Sequence, residues 1–276
     1  RAYAPQVVAI TGTNGKTTTT ELIERMFNGC GRKTVACGNY GHPLCEVAAS
    51  GVRYEVLTIE ISSFQLETVT SFAPRVGIWL NFAPDHLDRY PGMDEYVAAK
   101  ARIFHGGGIQ VLNRDDPRSF ALGISGRVVQ TFGGGVPESE EAWGLVDRGA
   151  SRDGRPETWL ARGGALLVPM AELKLVGRHN ALNALAALAL ASAVAKIDHT
   201  LLVALARFEG LPHRMQKVAE AGGVLFVDSA DKAARTLRDL VHALYDHLHR
   251  TGHPEPNVKV LRNPQQVRHA ALVATL

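Results

Sequence analysis

The sequence has no large excess of charge of either sign. Lys and Arg together number 30 and Asp and Glu 27 among 276 residues, which gives a formal net charge of +3. The basic residues are spread along the chain, whereas proteins that bind nucleic acids or anionic membrane surfaces concentrate them in patches. The composition therefore predicts no nucleic-acid partner and no binding to a membrane surface.

Long apolar runs are also lacking. The longest, residues 184–194, is rich in alanine and is well short of the roughly 20 residues that a membrane-spanning helix needs. Residues 1–6 are polar and do not resemble the start of a secretory signal. We therefore expect no membrane span, a cytoplasmic location and a monomer.

Cysteine is scarce, and Cys30, Cys37 and Cys45 are the only ones in the sequence. An odd number of cysteines at spacings of seven and eight residues argues against a disulfide framework and matches no familiar zinc pattern. We expect all three to be reduced and buried as small apolar side chains.

Short β-branched runs alternate with helical patterns over most of the chain. Strands are predicted at residues 7–10, 33–36, 54–61, 76–81, 109–113 and 128–132, and helices at residues 17–27, 93–104, 180–194 and 200–208. Such alternation is typical of a mostly parallel sheet that helices cover on both faces. The sequence therefore predicts an α/β fold.

The alternation is interrupted after residue 132. Residues 133–154 are rich in Gly and acidic side chains and are predicted to form a loop. This loop leads to an antiparallel hairpin at residues 158–168, which turns at Gly163-Gly164. We therefore expect a small antiparallel excursion beside the parallel sheet.

Gly210-Leu211-Pro212 marks the best domain boundary, because Gly and Pro end both helices and strands. We expect a central domain of residues 1–213 and a short C-terminal α/β segment of residues 214–276. Within that segment the pattern predicts a strand at residues 223–227 and a helix at residues 232–249.

A glycine-containing turn separates the first predicted strand from the first predicted helix. Its residues are Gly12, Thr13, Asn14, Gly15, Lys16 and Thr17. Backbone N–H groups in such a turn point at phosphate oxygens, and the N-terminus of the helix adds partial positive charge. Lys16 would reach the β- and γ-phosphates, and the Thr17 hydroxyl would ligate Mg²⁺. Ile10 stands where the full motif has glycine, so the turn is either a shortened phosphate loop, as in P-loop NTPases, or a surface turn containing Gly-Lys-Thr.

Three further side chains are candidates for the same edge of the sheet, where open parallel sheets bind ligands. Glu60 lies at a strand end, and it is either a metal ligand or a polar residue whose carboxylate is hydrogen-bonded within the protein. His86 lies between Asp85 and Asp88, and it is either a metal ligand or a structural histidine beside a capping Asp. Lys100 is either a surface residue with a buried stem or a cation beside the γ-phosphate.

Polar residues in the last third of the chain suit a nucleotide. Asn180 and Asn183 lie three apart on one helix face, and amide side chains can both donate and accept, as reading a purine edge requires. A helix N-cap would explain Asn180 but not the pair. Arg214, which follows His213, is placed to meet phosphate from the side.

In order along the chain, these segments resemble the Mur ligase family from about residue 7 to residue 228. The matching runs are Thr11-Gly12-Thr13-Asn14-Gly15-Lys16-Thr17, Glu60-Ile61-Ser62-Ser63-Phe64-Gln65-Leu66-Glu67, Asp85-His86-Leu87-Asp88-Arg89-Tyr90, Gly177-Arg178-His179-Asn180 with Asn183, and Gly210-Leu211-Pro212-His213-Arg214. The second and third runs favour this family over folylpolyglutamate synthase-like ligases, which share the phosphate loop and remain an alternative.

The resemblance implies a role for each candidate. Lys16 and Thr17 would bind the ATP phosphates and Mg²⁺. Glu60 and His86 would belong to two metal sites, and Lys100 would be carbamoylated, which turns a cation into the anionic oxygen ligand that Mg²⁺ prefers. The nucleotide would be contacted by Asn180, Asn183, Arg214 and Asp228, and the muramoyl substrate by Asn39, Ser62 and His213.

The reaction that the resemblance implies is an ATP-dependent ligation in peptidoglycan synthesis. The carboxylate of UDP-N-acetylmuramoyl-L-alanine would attack the γ-phosphate of ATP and give an acyl-phosphate and ADP. The amine of D-glutamate would then attack the acyl carbon and expel phosphate, which forms an amide. Such chemistry depends on positioning and on neutralising the charge of the transferred phosphoryl group.

Several features depart from the family pattern. Tyr40 stands where the family has Ile, and Ala230 stands where the family has Lys after Asp228-Ser229. By the resemblance, we expect the family's N-terminal domain to be missing before Arg1, and the residues after Asp231 do not resemble its C-terminal domain. A nucleotide-binding module without turnover is therefore the alternative from a different functional class.

Overall fold

The computed structural model describes residues 3–83, 90–150, 156–175, 177–211, 214–221 and 224–229. The chain divides into two compact units, Arg1–Phe208 and Glu209–Leu276. In the first unit the strands are β1 (Gln6–Thr11), β2 (Thr34–Gly38), β3 (Val56–Glu60), β4 (Val76–Trp79), β5 (Ile109–Asn113), β6 (Val129–Phe132), β7 (Ala142–Ala150), β8 (Pro156–Arg162) and β9 (Ala165–Pro169).

The helices of the first unit are α1 (Lys16–Gly29), α2 (Leu44–Ala49), α3 (Ser63–Thr68), α4 (Met93–Ala101), α5 (Pro117–Phe120), α6 (Arg178–Ser192) and α7 (His199–Ala206). Short 3₁₀ turns lie at Arg102–Phe104 and Met170–Glu172. Within the described part of the second unit, β10 (Arg214–Ala221) and β11 (Val224–Ser229) form an antiparallel pair.

One nine-stranded sheet organises the first unit, in the order β2-β3-β1-β4-β5-β6-β7-β8-β9. Neighbours from β2 to β7 pair in parallel, and β7, β8 and β9 pair antiparallel. The registers place Ile10 beside Glu60 and Thr11 beside Trp79, so β1 ends between the ends of β3 and β4. The predicted α/β fold, mostly parallel with a small antiparallel excursion, is confirmed.

The sheet is covered on both faces because its central strands are apolar on both sides. Ala9 belongs to a core cluster with Ile103 and Phe104, which follow α4. Val8 and Ile10 are fully buried and alternate with Ala9, so they face the other side of the sheet. Helix α1 packs against β1, β2 and β3 and also contacts α6 and α7.

The structure corrects the predicted loop at residues 133–154, since Ala142–Ala150 form strand β7. Glycine and acidic residues weaken the local strand signal there, but tertiary contacts override it. Trp143 is fully buried, its indole N–H donates to Gln130 Oε1 at 2.8 Å, and its backbone is in register with Arg162 of β8.

The expectation that all three cysteines are buried is wrong for Cys45, which is exposed at the start of the short helix α2, and Cys30 is only half-buried. Cys37 in β2 is buried, and burial raises the pKa of its thiol to about 11. The free thiols bear out the expectation of no disulfide framework.

Two further predictions concern a membrane span and the C-terminal segment. Among the described residues, no helix is both long enough and apolar enough to cross a bilayer. The predicted helix at residues 232–249 lies outside the described residues, whereas the strand predicted at residues 223–227 corresponds to β11.

Candidate phosphate-binding site

The candidate site lies at the carboxyl edge of the parallel strands, around the end of β1. Strand β1 lies between β3 and β4, where the strand order reverses direction, and open parallel sheets bind ligands at the carboxyl edge of such a position. The chain after Thr11 enters the predicted phosphate loop, Glu60 ends β3, and Asn81 follows β4 by two residues. The sheet therefore brings these three segments together although they are far apart in sequence.

Two glycines give the loop its shape. Gly12 has φ 152°, and a Cβ there would lie 2.9 Å from Leu80 Cβ. Gly15 has φ 83°, and a Cβ there would lie 2.4 Å from Asn183 Oδ1 on α6. A side chain at either position would collide with a neighbour, and an L-residue would also be strained by the backbone conformation.

Gly15 is the N-cap residue of α1, and no side chain among the described residues caps this helix end. The first N–H groups of an α-helix have no intrahelical acceptor, and they carry the positive end of the helix dipole. The start of α1 is therefore suited to an anion.

The N–H groups earlier in the loop are already used by the protein. The Thr13 N–H donates to the Asn81 carbonyl at 3.1 Å, and the Asn14 N–H donates to Asn81 Oδ1 at 2.9 Å. The amides placed to meet a phosphate are therefore those from Gly15 onward, at the start of α1.

Two lysines converge on one carbonyl of the loop. Lys16 Nζ donates to Gly12 O at 3.0 Å and to Thr13 O at 3.0 Å. Lys100 Nζ donates to Gly12 O at 3.1 Å and to Thr11 Oγ1 at 3.3 Å. The two nitrogens are therefore no more than about 6 Å apart, a distance at which like charges repel and an anion between them is favoured.

The alternative that placed Lys100 at the surface is wrong, because its side chain is 3% exposed. Its Nζ lies 5.0 Å from the centroid of the Tyr96 ring, also on α4. The Tyr96 hydroxyl is 3.5 Å from Thr13 Oγ1, so Tyr96 contacts both the lysine and the loop.

Glu60 is 3% exposed at the end of β3. Its Oε1 accepts a hydrogen bond from Asn39 Nδ2 at 2.8 Å, but Oε2 has no hydrogen-bond partner among the described residues. A buried carboxylate oxygen without a donor is costly, and a divalent cation would satisfy it. The alternative of a satisfied polar strand end is therefore wrong for this oxygen.

The paired asparagines of α6 reach the phosphate loop. Asn183 Nδ2 donates to Asn180 Oδ1 at 3.2 Å, and Asn183 packs over Gly15. The N-cap residue of α6 is Gly177, so the capping alternative for Asn180 is wrong. Next to this pair, burial lowers the pKa of His179.

The predicted substrate-facing residues lie on either side of Glu60. Asn39 is exposed after β2, and its N–H donates to the Glu60 carbonyl at 2.8 Å. Ser62 is the N-cap residue of α3 and forms a capping box with Gln65, so its hydroxyl has a structural role in this helix.

Four of the predicted site residues have no described side chain. His86 and His213 lie outside the described residues. Arg214 and Asp228 lie on β10 and β11 of the second unit, and only their backbone is described. Among the described residues, no three His, Cys, Asp or Glu side chains form a metal-binding group.

Sequence reasoning missed Asn81 and Tyr96, although both contact the loop. The sequence held one usable signal for Asn81, its place just after a buried strand at the ligand-binding edge of a parallel sheet. Tyr96 carried the helical spacing of an ordinary core residue, so no pattern distinguished it.

Comparison with known proteins supports the same assignment of the fold. Residues 10–191 match the family model described as the Mur ligase middle domain. The UDP-N-acetylmuramoylalanine–D-glutamate ligase of Methylobacillus flagellatus is 45% identical over 231 residues, 83% of this chain and 49% of that relative. The same-named ligase of Nitrosomonas europaea is 44% identical over 239 residues, 83% of this chain and 50% of the relative. The chain thus spans about half the length of the curated relatives it matches.

Solved structures give a similar result at lower identity. A UDP-N-acetylmuramoyl-L-alanyl-D-glutamate–2,6-diaminopimelate ligase superposes with a TM-score of 0.68 at 23% identity, over 88% of this chain and 54% of the other. The UDP-N-acetylmuramate–alanine ligase of Thermotoga maritima has a TM-score of 0.62 at 24% identity, over 90% and 55%. These likenesses establish the fold.

Proposed function

This chain belongs to the Mur ligase family, and on that premise we propose that it carries the ATP-binding part of a ligase that adds D-glutamate to UDP-N-acetylmuramoyl-L-alanine. The convergence of Lys16 and Lys100 on Gly12 O, beside the uncapped start of α1, is the observation that carries the proposal. Lys16 and the start of α1 supply positive charge at the edge of the sheet where phosphoryl transfer needs it, and Lys100 lies directly beside them.

We propose that ATP lies along the start of α1. The amides from Gly15 onward would meet its phosphates, and Lys16 would exchange its two carbonyl contacts for β- and γ-phosphate oxygens. Asn180 and Asn183 would contact the base, since Asn183 already touches the loop at Gly15. Arg214 and Asp228 of the second unit are proposed as further nucleotide contacts by family resemblance.

Divalent cations fit the residues present, because Glu60 Oε2 is buried without a donor. We propose Mg²⁺ at two sites, held by Thr17, Glu60, His86 and Lys100. A bound Mg²⁺ would neutralise phosphate charge during transfer. Asn39, through its bond to Glu60 Oε1, holds the carboxylate so that its other oxygen stays available.

Lys100 is proposed to act as a carbamate. Its neutral amine would attack the carbon of CO₂, form an N–C bond and release one proton to solvent, leaving an anionic oxygen pair. This reverses the sign of the charge beside Lys16 and replaces repulsion by attraction. Burial of Lys100 at the floor of the loop keeps the group fixed where it would be needed.

The substrate would enter from the side of Asn39 and Ser62, next to Glu60. His213 is proposed as a further substrate contact. The substrate carboxylate would attack the γ-phosphorus in line with the departing ADP, and D-glutamate would complete the amide. The protein contributes positioning and charge, since the acyl-phosphate is formed between the two bound substrates.

We further propose the domain division into residues 1–213 and 214–276, a cytoplasmic location, where ATP and the nucleotide-linked substrate are made, and a monomer. Peptidoglycan synthesis, and through it cell shape and division, would be the setting. No nucleic acid enters this function.

The proposal is tested by phosphate release with ATP, Mg²⁺, D-glutamate and UDP-N-acetylmuramoyl-L-alanine, together with calorimetric ATP binding. Turnover that requires both substrates supports the ligase. Mg²⁺-dependent ATP binding without turnover would favour the binding module, for which Ala230 in place of the family's Lys is the sequence argument. Absence of ATP binding would contradict both, and turnover with a folate substrate instead would favour the folylpolyglutamate synthase-like alternative.

A further inference from the structure

Asn81 makes a set of contacts with the phosphate loop that the functional assignment does not use. Its Oδ1 accepts from the Asn14 N–H at 2.9 Å, and its Nδ2 donates to the Asn14 carbonyl at 3.0 Å. One side-chain amide thus pairs with both backbone groups of one loop residue. Its own backbone carbonyl accepts from the Thr13 N–H at 3.1 Å.

Asn81 is itself held in place by hydrogen bonds at the end of the sheet. Its carbonyl also accepts from the Trp79 indole N–H at 2.9 Å, and Trp79 is fully buried. The preceding residue, Leu80, donates its N–H to Thr11 O and accepts from Asn113 Nδ2 at 2.7 Å. Asn81 is therefore attached to the rigid end of the sheet, and the loop is attached to Asn81.

A second pair of hydrogen bonds joins Thr13 of the loop to Ala83, two residues after Asn81. Thr13 Oγ1 accepts from the Ala83 N–H at 3.0 Å and donates to the Ala83 carbonyl at 3.1 Å. Thr13 and Asn14 are thus joined by hydrogen bonds to Asn81 and Ala83, and Ala83 leads into the segment that carries His86.

We propose that Asn81 is a positioning residue for ATP binding, and this inference rests on the proposed function. Its side-chain amide holds Asn14 so that the loop's remaining N–H groups, from Gly15 onward, point at the phosphates before ATP arrives. A loop ordered in advance binds with less loss of conformational freedom. The Asn14 N–H itself is not a phosphate donor, because the Asn81 amide occupies it.

Asn28 provides a matched control at the other end of α1. Its Oδ1 accepts from the Thr34 N–H at 2.9 Å and its Nδ2 donates to the Thr34 carbonyl at 3.0 Å, which is the same reciprocal arrangement away from the phosphate loop. Replacing either asparagine by leucine removes the same two hydrogen bonds and keeps the number and branching of the side-chain heavy atoms, so any effect of the larger methyl groups is common to both variants.

The experiment compares Asn81→Leu, Asn28→Leu and Lys16→Ala in the full chain, with ATP and Mg²⁺ as the calorimetric probe and thermal unfolding as the second measurement. We expect Asn81→Leu to weaken ATP binding at least tenfold while its melting temperature falls no more than that of Asn28→Leu, which keeps normal affinity. ATP affinity within twofold of the unaltered chain in Asn81→Leu alone would overturn the positioning role. Intact affinity in Asn81→Leu and Lys16→Ala together would overturn the proposed function as well.

Residue-resolved amide hydrogen exchange gives a readout that general destabilisation does not imitate. Without nucleotide, the Thr13 and Asn14 amides should be protected, and Asn14 should lose protection in Asn81→Leu but keep it in Asn28→Leu. Addition of ATP should protect the amides of Gly15 to Thr17 and leave that of Asn14 unchanged. An Asn14 amide that is unprotected in the unaltered chain until ATP binds would overturn the inference.

Discussion

The two ends of the nine-stranded sheet differ in how far their charged side chains are buried. At the carboxyl edge of the parallel strands, Lys100 and Glu60 are almost fully buried, and one carboxylate oxygen has no donor among the described residues. Beside the antiparallel strands, Arg162 of β8 forms an ion pair of 2.9 Å with Glu141, which precedes β7, and the two side chains are 36% and 55% exposed. Burial of charge destabilises a fold unless a partner compensates, so the parallel edge is where a charged ligand is expected.

The comparison predicts that removing a charged side chain at the parallel edge changes ligand binding more than stability, whereas removing one beside the antiparallel strands changes neither greatly. Four substitutions test this difference, of which Lys16→Ala is expected to have the largest effect and His179→Gln the smallest.

Lys16→Ala should weaken ATP binding by about 100-fold or more, because charge-assisted hydrogen bonds to phosphate contribute roughly 1.5–3 kcal/mol each. Isothermal titration calorimetry measures the change. The control is Arg162→Ala in β8, which loses an exposed ion pair of about 0–1 kcal/mol, a hydrogen bond to the Glu140 carbonyl and a cation–π contact with Trp143. None of these contacts involves the phosphate loop, so this variant should bind ATP normally. Equal loss of ATP affinity in both variants would contradict the predicted difference between the two regions.

Gly15→Ala should weaken ATP binding by about tenfold or more and destabilise the fold by roughly 1–3 kcal/mol, because its Cβ would meet Asn183 at 2.4 Å in a left-handed backbone conformation. Gly51→Ala is the matched control. Gly51 has φ 69° but open space around the Cβ position, so its substitution carries the backbone strain without the collision. Calorimetry and denaturant unfolding separate the two effects, and normal ATP affinity in Gly15→Ala would contradict the assigned loop geometry.

Glu60→Gln should reduce the enhancement of ATP binding by Mg²⁺ by about tenfold, since a neutral amide is a poorer ligand for this cation than a carboxylate. The amide should leave stability unchanged or raise it, because a buried charge is removed. Titration of Mg²⁺ at fixed ATP measures the effect. Glu157→Gln in β8, whose carboxylate accepts from the Trp159 indole N–H, is the control. An unchanged Mg²⁺ response in Glu60→Gln would remove Glu60 from the metal site.

The smallest effect concerns His179. Burial lowers its pKa below the ordinary value of 6.5, so the unfolded chain takes up a proton at a pH where the folded chain does not. The stability that neutral His179 contributes is therefore fully present above pH 6.5, and it is lost as the pH falls from 6.5 towards the lowered pKa of the folded state. The difference in melting temperature between pH 7.5 and pH 5.5 should therefore be smaller by a few degrees in His179→Gln. The same difference in both proteins would show that His179 does not contribute.

Much of the fold could be predicted from the sequence because strand and helix periods are local signals. The phosphate loop was predictable for the same reason, since Gly12 to Thr17 are contiguous. Strand β7 was not, because Trp143 is held by Gln130 and by β8, contacts that no local pattern contains. The positions of Glu60 and Lys100 at the loop follow from sheet order, and that order places β3 and β4 on either side of β1.

The roles assigned to the site residues depend on different kinds of evidence. Burial and hydrogen bonds distinguish the alternatives for Lys100, Glu60 and Asn180, which spacing alone left open. For Asn81, its place after a buried strand indicated the ligand-binding edge of the sheet, but only the structure shows the two hydrogen bonds that it makes to Asn14.

The most direct measurement is a crystal structure of this chain with a nonhydrolysable ATP analogue and Mg²⁺. The account predicts the β- and γ-phosphates against the amides of Gly15 to Thr17, with Lys16 on a phosphate oxygen and the Asn14 N–H still bonded to Asn81. A triphosphate bound anywhere else, with the start of α1 empty, would contradict it.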